Sequence, residues 1–143
     1  MQRSKRFRTT CRGHAVLEVA LLSPWLFFLF IGALDMGFYA HAIIATQNAA
    51  RAAAAYTSRT STKAADSISA CKYALAELKA MSNARSLTTC NSSPLIVTAS
   101  AVTDADGWPA SSVSVTYRTD KLIPMPGLTG QLNVTRTVQM MVK

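Results

Sequence analysis

Side chains able to do chemistry are few in this chain, and they are scattered. Two histidines occur, His14 and His41. Neither has a cysteine, serine or carboxylate at the spacing of a nucleophilic triad or a metal site. Asp104 and Asp106 flank one alanine in the stretch Thr103-Asp104-Ala105-Asp106-Gly107-Trp108-Pro109. Two acids are far short of a calcium loop, so they read as a solvated turn. Asn91-Ser92-Ser93 and Asn133-Val134-Thr135 match the N-glycosylation pattern, which is too short to carry weight alone. The sequence therefore offers no catalytic residue, no metal site and no cofactor site, and the reading is a protein that is not an enzyme.

One carboxylate stands apart. Glu18 lies inside an apolar run from Ala15 to Leu34 that is otherwise broken only by Ser23, Pro24 and Gly32. A charge at the centre of a membrane-spanning helix costs about 2.5–3.5 kcal/mol on insertion scales, and less near an end. Glu18 near the start of the run has two readings: it reaches back to the headgroups, or it has a partner. A cut between Gly13 and His14 would create that partner. The new α-amino group would lie four residues, about one helical turn, from Glu18. Ammonium and carboxylate would then neutralise each other within one chain, or between neighbours, where the pair would fix the stagger of helices packed side by side.

The elements that hold Glu18 follow from charge and hydropathy. Residues 1–13 contain Arg3, Lys5, Arg6, Arg8 and Arg12 and no acid, within a formal net charge of +8. A basic leader ahead of a greasy segment is a topology signal that keeps the N-terminus in the cytoplasm. Without a recognition motif it is not a nucleic-acid site. The twenty residues from Ala15 to Leu34 would span ~30 Å as a helix, the thickness of a hydrocarbon core. Pro24 removes one backbone hydrogen bond and is expected to kink that helix. Beyond it the chain is alanine-rich and proline-free, so one helix is expected from about His14 to about Tyr56. Its second half carries a small-residue seam at Ala42, Ala45, Ala49, Ala52 and Tyr56, which would let another helix approach closely.

The remainder, residues 57–143, reads as a small extracytoplasmic α+β body. Thr62 is the expected cap of a second helix from about Lys63 to Met81. Its apolar face would be Ile68, Cys71, Leu75, Leu78 and Met81, spaced three and four apart. Ser82 to Pro94 reads as a loop. Leu95–Val102 is β-prone with poor alternation, whereas Ser111–Arg118 and Leu132–Val142 alternate. Two to three strands would form a small antiparallel sheet covered by the second helix. Cys71 and Cys90 fall outside the cytoplasm on this topology, where an oxidising compartment lets them pair. A closed loop of about twenty residues would contribute about 3 kcal/mol on the chain-entropy model. Two unpaired buried thiols are the alternative.

Arg12-Gly13, Val16-Leu17-Glu18-Val19-Ala20-Leu21, Pro24, Asp35-Met36-Gly37 and Gln47-Asn48-Ala49-Ala50-Arg51 together resemble the TadE-like pseudopilins of the tight-adherence pilus system, within the type IV pilin superfamily. The stretch Pro124-Met125-Pro126-Gly127-Leu128 ahead of a last strand is similar too, more loosely. Leu17, Val19 and His14 depart from the family pattern. The resemblance implies a minor pilin that a prepilin peptidase, an integral aspartate protease, cuts between Gly13 and His14. The product would sit in the bacterial inner membrane with its N-terminus inside and its body in the periplasm. It would pack with other pilin subunits through the helix, with Glu18 setting register. Two other classes stay open on the sequence: an uncut single-pass anchor whose body binds an envelope partner, and a secreted protein cut after Ala40-His41-Ala42.

Overall fold

The computed structural model describes residues 12–120 and 131–143, with side chains from His14 onward. Most of the basic leader, with Cys11, and the connection holding Pro124, Pro126, Gly127 and Gly130 lie outside the described residues. The chain divides into two compact units, one ending at Met36 and one running Gly37–Lys143.

The first unit is helical. Helix α1, Arg12–Thr57, begins here and continues through Pro24. Proline has no N–H, so the Ala20 carbonyl lacks its usual helical donor. Every side chain from His14 to Phe30 is exposed. Most of these exposed residues are large and apolar, with Trp25 and Leu29 each 71 % open.

The second unit is α+β. It holds the end of α1, one 3-10 turn at Ser61–Lys63, helix α2 (Ser67–Leu78) and strands β1 (Asn91–Ser92), β2 (Leu95–Thr103), β3 (Pro109–Arg118) and β4 (Asn133–Met141). The strands form one antiparallel sheet in the order β1-β2-β3-β4. All three expected strands are present, and the two-residue β1 adds a fourth inside what the sequence presents as a loop. The poor alternation of β2 has a plain cause. Its inward positions Leu95, Val97 and Ala99 face a helix layer, and its outward positions include Ile96, which is apolar yet 41 % exposed.

The core is one cluster built from the second half of α1, from α2 and from the inner sheet face. Ala49, Ala50, Ala53 and Ala54 of α1 are fully buried with Ala70, Ala74 and Leu78 of α2 and with Leu95, Val113 and Val115 of the sheet. The expected small-residue seam is shifted in position. Ala42 and Ala49 are buried, but Ala45, Ala52 and Tyr56 are half-buried, and the stripe has turned toward Thr46, Ala50, Ala53, Ala54 and Thr57. These small residues pack into the core of their own chain.

Helix α2 also differs from expectation at its start. Asp66, not Thr62, is the cap: its carboxylate accepts from the N–H groups of Ile68 and Ser69 at 3.1 and 3.0 Å. The residues before it form the 3-10 turn and a bend, so α2 is shorter than the periodic stretch that suggested it. Its buried face runs through Ala70, Ala74, Leu75 and Leu78, and Ile68 is 86 % exposed. Of the expected face, Leu75, Leu78 and Met81 are buried and Cys71 packs against the core; Ile68 alone falls outside it, and Ala70 and Ala74 complete the buried side.

Candidate functional site

Gly13, His14 and Glu18 lie on one continuous helix. Residues 14 and 18 are one turn apart, and helical side chains lean toward the N-terminus, so the Glu18 carboxylate leans back toward position 14. Both side chains are exposed. Around and beyond them runs the apolar surface of α1 up to Phe30, with no described residue of the chain covering it. The helix is long and apolar enough to cross a membrane. An uncovered surface of this kind calls for lipid or other apolar helices as its surroundings.

The remaining site residues are elsewhere. Pro24 lies six positions beyond Glu18 on the same helix. Cys71 and Cys90 are joined, with 5.7 Å between their Cα atoms, and the bond ties α2 to the segment leading into β1. His14 and His41 stand far apart along α1. Among the described residues no group of three or more His, Cys, Asp or Glu side chains comes together as a metal site would require. Asp104 and Asp106 lie in the β2–β3 hairpin tip, where Asp104 Oδ1 accepts from the Ala105 N–H at 2.8 Å.

Two polar contacts organise the body, and residue spacing does not reveal them. Ser111, fully buried on β3, shares its hydroxyl proton between Thr57 Oγ1 at 2.7 Å and the Ala64 carbonyl at 2.8 Å. This fastens the last residue of α1 to the sheet. Tyr117, also on β3 and 2 % exposed, donates its phenol to Asn83 Oδ1, and Asn83 Nδ2 donates to the Arg118 carbonyl at 2.8 Å. Asn83 thus fastens the turn after α2 to the same strand. Burial, first, and the nearby Asp120 carboxylate push the Tyr117 phenol up to about 12. No sequence motif marks either pair, because each joins residues more than thirty positions apart.

No curated protein and no solved structure matches the chain. Residues 13–55 match a family model described as TadE-like protein. The matched segment starts at the residue before His14 and stops two residues before the end of α1, so it coincides with the helix that carries Glu18 and the uncovered apolar surface. Over residues 13–55 the chain is similar to the TadE-like proteins.

Proposed function

We propose that the chain is a minor pilin or pseudopilin of a tight-adherence pilus or a related secretion system, a structural subunit and not an enzyme. The observation that carries this reading is the coincidence of the TadE-like segment, residues 13–55, with an apolar helix surface that the chain leaves uncovered. The helix inserts in the bacterial inner membrane with residues 1–13 in the cytoplasm, as their positive charge requires. The body, residues 57–143, then faces the periplasm, a compartment in which the Cys71–Cys90 bond is stable.

A prepilin peptidase cuts between Gly13 and His14. Cutting removes five basic residues and Cys11 together, leaving a mildly basic chain with two paired cysteines. It also creates an α-amino group one turn from Glu18. The pair lowers the cost of keeping a carboxylate in an apolar span. Formed between neighbouring subunits, it sets the register in which helices leave the bilayer and pack.

The test is the N-terminal residue of the protein recovered from cells. His14 is expected. Met1 would replace this reading with an uncut anchor, and Ile43 with a signal peptide cut after Ala42.

A further inference from the structure

The body carries a knob and a groove that match each other in shape class and in charge. The knob is the tip of the β2–β3 hairpin. Trp108 is 63 % exposed there, beside Asp104 and the exposed Asp106. The tip has a defined shape. Asp104 N–H donates to the Trp108 carbonyl at 2.8 Å, and Gly107 N–H donates to the Asp104 carbonyl at 2.9 Å. Gly107 has φ +83°, a conformation that glycine adopts without strain. A large aromatic residue held in solvent on a hairpin tip that carries two carboxylates does nothing for the core. Exposed Trp of this kind is the residue type most enriched at the energetic centres of interfaces.

The groove, about 560 Å³, lies along α2 on the side of the Cys71–Cys90 bond. Its walls are mainly apolar. Ile68, Leu75 and Leu87 contribute aliphatic surface, and Lys72 and Lys79 contribute two positive charges. Among the described lining residues there is no Asp or Glu. The 86 % exposed Ile68 is at this groove. An indole on an acidic hairpin tip complements an aliphatic slot that carries two ammonium groups.

The two features do not meet within one molecule. The Leu87–Asn91 wall of the groove leads into the start of β2, and the knob follows its end. The groove's other end, at Ser67, lies beside the middle of β2, where Ser67 Oγ accepts from the Ala99 N–H at 3.1 Å, and no residue of Asp104–Trp108 lines it. We propose that the groove receives the Asp104–Trp108 knob of a second copy of this chain. Such a contact joins different patches on the two copies, so it propagates head to tail instead of closing a two-fold dimer. It is separate from helix packing and from cleavage at Gly13, and goes beyond the function proposed above.

The test uses the full chain in detergent micelles, with Trp108 replaced by the photocrosslinker p-benzoylphenylalanine. Irradiation is expected to give an intermolecular adduct mapping to Ile68–Lys79 or to Leu87. Lys72→Glu with Lys79→Glu should lower the yield at least fivefold. Adding Asp104→Lys and Asp106→Lys to that variant should restore it, because every copy then carries the reversed pair. Lys72, Lys79 and Asp106 are exposed and Asp104 is half-buried at the hairpin tip, and circular dichroism verifies the fold of each variant. Adducts confined to residues 14–34 would show association through the apolar helix and overturn the proposal. Absence of any intermolecular adduct, or a charge-reversed pair that fails to restore one, would overturn it equally.

Discussion

The Ser111 hydroxyl lies 2.7 Å from Thr57 Oγ1, and both side chains are fully buried. Thr57 in turn bonds the Ala53 and Ala54 carbonyls at 3.2 Å, so the last turn of α1 is satisfied from inside the core. The Ala64 carbonyl depends on the same serine. Replacing Ser111 by alanine removes the donor while that carbonyl stays buried, which should cost about 1–3 kcal/mol. Urea unfolding followed by near-ultraviolet circular dichroism measures it. An unchanged midpoint would mean that the bond contributes nothing net.

Alanines on opposite sides of α1 should behave differently. Ala53 is wholly buried against the body and Ala55 is exposed. Ala53→Leu inserts three carbon atoms into a packed layer, and overpacking of that kind costs typically about 1–3 kcal/mol. Ala55→Leu should stay within about 0.5 kcal/mol of the parent. Equal effects in thermal melts would mean that this stripe does not pack inside its own chain.

These alanines also explain how much of the fold was legible in the sequence. The long helix was readable because twenty apolar residues and an alanine run point the same way. The clean period of two in β3 and β4 gave their inward faces, with Val113, Val115 and Tyr117 buried as the alternation requires. The buried face of α2 was misjudged at Ile68, since hydrophobicity alone cannot tell a core isoleucine from one exposed beside a groove. The cap was misplaced because Thr62 and Asp66 are both good caps, and only the backbone decides which carboxylate or hydroxyl meets free N–H groups. That Gly13, His14 and Glu18 share one helix was legible because it is local, with no long-range contact needed to bring them together.

The Cys71–Cys90 bond closes a loop of nineteen positions between α2 and β1. Cys90 is 1 % exposed and sits in the core cluster. Replacing both cysteines with serine should lower stability by about 3 kcal/mol on the chain-entropy estimate, with hydroxyl burial at position 90 adding to it. Replacing Cys71 and Cys90 with alanine separates the two contributions. A double alanine variant as stable as the parent would show that the bond does not constrain the unfolded chain.

Alkaline stability should depend on Tyr117. Its folded phenol titrates at about 12 against an ordinary value of 10.0, raised first by burial. A raised value means that the folded state favours the neutral phenol. The contribution is therefore whole below pH 10 and is lost as the pH climbs from 10 toward 12. Stability measured across that interval should fall in the parent, and Tyr117→Phe should flatten the fall while starting from lower stability through loss of the Asn83 bond. An identical alkaline slope in both proteins would exclude Tyr117 as its source.

Glu18→Ala separates insertion from assembly. Removing a carboxylate from an apolar span makes insertion easier, by at most about 2.5–3.5 kcal/mol and less this near the end, so the protein should remain in the membrane fraction. The substitution lies five positions beyond Gly13 and leaves the basic leader intact, so the N-terminal residue recovered should still be His14. What it removes is the partner of the new α-amino group, leaving an unpaired ammonium where subunits would meet. Incorporation into the pilus should then fall to background while membrane levels hold. Glu18→Asp, which keeps the charge on a shorter stem, should retain part of it. Normal incorporation of Glu18→Ala would sink the register role and leave the carboxylate as a residue that merely reaches the headgroups.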